Sequence, residues 1–165
     1  MARAEQLCQK TNQFNLRSER HTVGNLSNIA TDPCYESFLI TLTDRFGDHG
    51  IVAFVITRQD GETAFLNTFL MSCRVLGRHL EAWILNELRV RLSKKDCKYI
   101  LAEYLPNQRN KVAATFLNDH GLTIFTWEQL PDNHPLLALR DLTDMSGQLY
   151  HADLETLDIP HLEVF

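Results

Sequence analysis

The sequence is poor in the features that mark the simplest classes of protein. Seven glycines and five prolines among 165 residues, with no low-complexity tract, exclude a collagenous, linker-rich or disordered chain. No apolar run approaches the roughly 20 residues that span a bilayer, and the polar start Met1-Ala2-Arg3-Ala4-Glu5-Gln6 lacks a signal-peptide core. The expectation is therefore a soluble, cytoplasmic chain with no membrane partner. The four cysteines, Cys8, Cys34, Cys73 and Cys97, are scattered, with no C-x-x-C pair and no histidines at ligand spacing. Neither a disulfide framework nor a bound metal is expected, and the thiols read as reduced. Neither G-x-x-x-x-G-K-[ST] nor G-x-G-x-x-G occurs, which weighs against a nucleotide-binding domain.

What is present suits one domain over 1–165. Apolar residues make up 44% and charged residues 22%, and a chain of this size buries roughly 70% of its unfolded surface. The net charge of -5 disfavours nucleic acid as a partner. The charge is uneven, however. From Arg74 to Lys111 nine Lys/Arg face four Asp/Glu, whereas Asp119 to Phe165 holds one Arg against nine acids. A local phosphate site in the basic stretch remains open.

Patterning divides the chain. Residues 1–16 read as a lead-in helix or linker. The runs 37–43, 50–57 and 63–71 are β-rich and joined by turn sequences, Asp44-Arg45-Phe46-Gly47-Asp48-His49 and Asp60-Gly61, which predicts an antiparallel meander. After Gly77 the period lengthens, and Leu80, Trp83, Ile84, Leu88 and Leu92 predict the core face of an amphipathic helix reaching about Lys95. A strand follows over 98–105, stopped by Pro106. A second helix is expected over 110–120 with Gly121 as its cap, then a strand over 122–127. Residues 128–165 read as C-terminal strands and an acidic tail, with 135–139 either an edge strand or a cover over the sheet.

The order strand, Arg74-Val75-Leu76-Gly77-Arg78-His79, helix sets the free N–H groups of a helix N-terminus between two guanidinium groups, a pattern suited to phosphate. The same spacing also fits a tight turn with solvated arginines. Arg74-x-x-Gly77-x resembles the Q/R-x-x-G-x-G/A diphosphate loop of the GCN5-related N-acetyltransferase (GNAT) superfamily. Asn110 to Leu122 is similar to that superfamily's second cofactor motif. Three further stretches, Lys10-Thr11-Asn12-Gln13-Phe14-Asn15-Leu16, Asp44 to Gly50, and Phe69 to Arg78, closely resemble the C-terminal GNAT-like domain of FkbH-like proteins, in HAD superfamily subfamily IIIC. The likeness covers about residues 3–127.

The resemblance implies an α/β (α+β) fold, a mixed and mostly antiparallel sheet with helices on both faces. It implies coenzyme A or carrier-protein phosphopantetheine as the thioester cofactor, held by Arg74, Val75, Gly77, Arg78, His79 and Asn110. It implies a haloacid-dehalogenase (HAD) phosphatase-like domain and an acyl carrier protein as partners, and glyceryl or acyl loading in polyketide-type biosynthesis. No apolar strand ends in Asp-x-Asp, so the HAD half has no candidate here, and the chain reads as an excised C-terminal domain or a free-standing relative. A non-catalytic module that docks a carrier protein or a HAD-type partner is the alternative.

Two positions depart from the pattern. His79 stands where a small residue is usual and either crowds the diphosphate or donates to it. Leu117 stands where many acetyltransferases carry a proton-donating Tyr, and it transfers no proton. Candidate catalytic residues are Cys73, as a nucleophile or an inert buried thiol; Asp48 with His49, as an acid or base or as turn formers; and Glu103, as a general base beside the splayed cofactor strands or a solvated side chain. Arg89, Arg91, Lys94 and Lys95 form either a solvated helix face or a docking surface for an acidic carrier.

Overall fold

A computed structural model describes residues 2–11, 13–144 and 146–160. Its elements are α1 (Ala2–Lys10), β1 (Phe14–Asn15), α2 (Val23–Thr31), β2 (Tyr35–Asp44), β3 (Gly47–Asp60), β4 (Thr63–Met71), α3 (Leu80–Ser93), β5 (Tyr99–Tyr104), α4 (Phe116–Asp119), β6 (Thr123–Phe125) and β7 (Gln148–Asp153). Seven strands form one sheet in the order β2-β3-β4-β5-β7-β6, with β1 paired to β4. All pairs are antiparallel except β4 with β5. No helix among the described residues is long and apolar enough to cross a membrane.

The expected meander is β2-β3-β4. Its first turn is fixed by Asp44, whose Oδ1 accepts from the Phe46 N–H at 2.8 Å, and by Gly47 at φ 132°. The four-residue spacing of Leu80, Ile84, Leu88 and Leu92 buries one face of α3 against Ala53, Val55, Leu66 and Phe69. Trp83 departs from expectation and lies 42% exposed, on the flank of that face. The opposite side of the sheet is covered by α1 and α2, through Ala4, Cys8 and Leu26 on Phe54, Ile56 and Leu70. The helix α2 turns Leu26 and Ile29, three residues apart, onto this face, and Thr22 starts it by accepting the Asn25 N–H on its side chain at 3.2 Å.

The segment expected as a helix over 110–120 is broken. It forms a 3-10 turn at Lys111–Ala113 and the single helical turn α4. Asn110 is the reason: its side chain is occupied by neighbouring backbone groups and holds the chain at φ -96°, ψ 19° instead of capping a long helix. Beyond β6 the chain drapes over the sheet as 3-10 turns, Leu136 and Leu139 packing on Phe65, Leu101 and Leu149. The strand β7 lies inside the sheet between β5 and β6, so 135–139 is cover and not an edge.

One detail of β4 positions everything that follows. Pairing with β5 runs from Thr63↔Tyr99 to Leu66↔Ala102 and then stops. Against β3 the register passes from Leu66 to Thr68, so Asn67 is a bulge, and a bulge bends its strand. Beyond it β4 and β5 diverge, and the chain's own Phe14–Leu16 lies between them. Phe14 and Asn15 pair with Met71 and Leu70, the Leu16 N–H donates to Phe69 O at 3.2 Å, and Leu105 N–H donates to Leu16 O at 2.9 Å. Phe14 and Leu16 are 4% and 0% exposed. Their burial stabilises the fold by roughly 1.5–3 kcal/mol each, so the wedge is a fixed part of the sheet.

Candidate functional site

Where β4 ends, Ser72 turns the chain: its N–H donates to Val52 O at 2.7 Å and its side chain caps the short 3-10 turn Cys73–Val75. This turn presents Cys73 and Arg74 outward and sends Val75 into the core at 0% exposure. The loop then reaches α3 through two left-handed residues, Gly77 (φ 74°) and His79 (φ 56°). A Cβ added at Gly77 would meet nothing within 4 Å, so glycine is needed there for backbone conformation and not for close packing. His79 is the N-cap residue of α3, and its side chain makes no capping bond.

A groove of about 600 Å³ opens beside this turn. Its walls are α1, the start of β3 at His49–Ile51, and the end of β4 with Ser72–Arg74. Arg3, Lys10 and Arg74 line it and, among the described residues, no Asp or Glu does, in contrast to the chain's net charge of -5. Cys73 and His49 both face this groove. His49 Nε2 lies 2.9 Å from Asp44 Oδ2, and Arg78 Nη1 reaches the same oxygen at 3.0 Å. The Asp44 carboxyl is held below its usual range, first by the Phe46 N–H bond and then by His49 and Arg78. An ionised Asp44 favours the tautomer with the proton on Nε2, leaving Nδ1 as an acceptor.

The arrangement brings together Cys73, His49 and Arg74 from the residues singled out in the sequence, and adds Asp44, which no spacing rule selected. Other candidates go elsewhere. Asp48 is exposed and its Oδ1 accepts from the Gly50 N–H at 2.7 Å, which is turn chemistry. Glu103 is neither solvated nor open to a substrate. It is 0% exposed, with Oε2 2.8 Å from Arg17 Nε and Oε1 accepting from the Asp144 N–H at 2.6 Å. Burial raises its carboxyl against the opposing pull of that N–H and of Arg17. Its role is to tie the chain after β1 to β5 and to Asp144.

Asn110 is likewise 0% exposed and faces the wedge. Its Nδ2 donates to Asn15 O and Leu105 O, both at 2.9 Å, and its Oδ1 accepts from the Asn107 N–H at 2.9 Å. It clamps backbone where cofactor contact was expected. Arg78 is turned back on Asp44. On α3 Arg89 bonds Asn86 and Arg91 bonds Glu87 and Glu36, and just beyond it Lys95 bonds Glu36, so these basic residues are paired with their neighbours. Among the described residues no group of three or more His, Cys, Asp or Glu is placed to hold a metal ion.

No protein-family model and no curated sequence matches the chain. Solved structures do. The ribosomal-protein-S18-alanine N-acetyltransferase of Escherichia coli superposes with a TM-score of 0.60 at 15% identity, over 98% of this chain and 90% of its own. Tetrahymena GCN5 gives 0.56 at 14% identity over 78% and 74%. The N-acetylglutamate synthase of Neisseria gonorrhoeae, solved with coenzyme A and N-acetyl-glutamate, gives 0.56 at 9% identity over 82% of this chain and 28% of its own. The bulged β4, its divergence from β5, the loop into α3 and these superpositions together establish that the chain has the GNAT acyl-CoA N-acyltransferase fold.

Proposed function

We propose that this chain is an acyltransferase-like domain that accepts an acyl group from a thioester of coenzyme A or of carrier-protein phosphopantetheine, with Cys73 as the receiving atom. The observation that carries this reading is the exposed Cys73 thiol on the same groove as His49, whose ring is held by Asp44 at 2.9 Å. His49 Nδ1 takes the Cys73 proton, and the Cys73 sulfur attacks the thioester carbonyl. The new C–S bond forms as the donor C–S bond breaks, and the departing thiolate takes the proton back from His49. This route removes the need for a Tyr at position 117, where the buried Leu117 supplies no proton. Arg74, Arg3 and Lys10 suit the phosphate groups of the donor. When bound, the pantetheine thioester would supply the activated acyl carbon; the residues of this chain position it and move the proton.

The likeness to FkbH-like domains supports a finer version, loading of a glyceryl or related acyl unit in polyketide-type biosynthesis, with an acyl carrier protein and a HAD-type domain as partners. The test is release of free thiol from acyl-coenzyme A and acyl-carrier substrates, with and without a HAD partner. Cys73→Ala should abolish release and Cys34→Ala, at the other exposed thiol, should spare it. The filled gap between β4 and β5 favours a second reading, a non-catalytic module that docks a carrier or a HAD-type partner. Carrier binding with no thioester consumed, with or without that partner, would select it.

A further inference from the structure

The gap between β4 and β5 is the place where an extended, amide-bearing ligand would add to the sheet, because diverging strands leave backbone groups without partners. Here those groups are already used. Phe69 O accepts the Leu16 N–H at 3.2 Å, and the Leu105 N–H donates to Leu16 O at 2.9 Å. Asn110 Nδ2 fixes Asn15 O at 2.9 Å from the side. The Phe14 ring lies 5.9 Å from Phe69 and 5.1 Å from Phe116, so the side-chain volume of the gap is filled as well as its hydrogen bonds.

By contrast, the groove beside α1 is open, about 600 Å³, and has polar walls in Gln6, Thr11 and Gln13. It ends at Ser72–Arg74, and Arg3 and Lys10 stand along α1. We propose that a pantetheine arm reaches Cys73 along this groove and not between β4 and β5, and that Phe14–Leu16 is the element that sets this route. The inference rests on the acyl-transfer reading above for the identity of the arm. It goes further in assigning residues 14–16 a specificity role: they stand where a threaded donor would lie and admit only ligands that approach from α1.

The test is residue-resolved amide exchange and chemical-shift mapping of the wild-type chain with millimolar coenzyme A as the probe. The expected result is a set of shifts confined to α1, residues 49–51 and residues 72–74, while the Leu16 and Leu105 amides keep their protection within about twofold. Two results overturn the proposal. One is a tenfold or greater loss of protection at Leu16 or Leu105, which would mean that the arm displaces the wedge. The other is an absence of shifts along the groove at saturating probe. Thiol release by Cys73 is read separately, so acyl transfer with an exposed Leu16 amide would reject the route while leaving the function standing.

Discussion

His49 Nε2 and Asp44 Oδ2 lie 2.9 Å apart across the β2–β3 turn, at the rim of the groove that holds Cys73. The pair exists because the turn is short and glycine-bent, so two residues five apart in sequence meet edge to edge. Asp44→Asn preserves the size of the side chain but removes the charge that fixes the histidine tautomer. It is expected to slow acyl transfer to Cys73 by about tenfold to a hundredfold with the fold intact, as measured by single-turnover kinetics alongside circular dichroism. An unchanged rate would mean that His49 is not the base.

Arg17 and Glu103 form the most enclosed ion pair among the described residues, with side-chain exposures of 13% and 0% at 2.8 Å. Removing one partner leaves a buried, uncompensated charge. Arg17→Ala is expected to lower unfolding free energy by about 3–5 kcal/mol in urea denaturation. Glu103→Gln should cost less, because a neutral amide still accepts from the Asp144 N–H. If Glu103→Gln instead left stability untouched and abolished thioester turnover, Glu103 would be a catalytic group after all.

Acid should weaken the fold through the buried His21 and the half-buried His151. His21 is 3% exposed with Nε2 2.8 Å from Thr68 Oγ1, and burial holds its pKa below the usual 6.5. Burial and then the neighbouring His134 do the same for His151. Both rings bind protons less readily in the folded chain than in the unfolded chain, which takes them up from 6.5 downward. Their contribution is therefore complete above that value and is lost as pH falls from it toward the folded pKa. The urea midpoint should drop as pH falls below about 6.5, and His21→Gln should flatten that slope. An identical slope in the variant would contradict the assignment.

Gly121 follows α4 at φ 88°, and a Cβ there would sit 2.4 Å from Asp158 O. Gly121→Ala combines a left-handed strain with a backbone clash and should cost more than about 2 kcal/mol. Gly77→Ala, at φ 74° with open space, should cost only the strain, about 1–2 kcal/mol. Comparing the two denaturation midpoints separates close approach from conformation.

The parts of this fold that could be read in advance are those written in local pattern. Leu80, Ile84, Leu88 and Leu92 declare α3 at a spacing of four, the β-branched runs declare the meander, and Gly121 marks a chain reversal. The resemblance of the Phe69 to Arg78 stretch located the loop that carries Cys73 and Arg74. What could not be read was long-range pairing. Phe14-Asn15-Leu16 looks like a polar lead-in with two apolar residues, and only the bulge at Asn67 creates the gap that it fills. Glu103 alternates ambiguously along β5, and its burial depends on Arg17, 86 residues away. Asn110 occupies a helix-start position by sequence, yet its amide is drawn to Asn15 O, 95 residues away. Asp44 gives no signal of its own in the sequence, because turn chemistry alone explains an aspartate before Arg-Phe-Gly.

Cys34 and Cys73 are both exposed thiols, but only Cys73 shares a groove with His49. That contrast makes the most direct measurement peptide mapping by mass spectrometry after the chain has met acyl-coenzyme A and acyl-carrier substrates. The account expects the acyl mass on Cys73, absent from Cys34 and lost on treatment with hydroxylamine. No acyl adduct on Cys73 with any thioester, or equal labelling of Cys34, would contradict it.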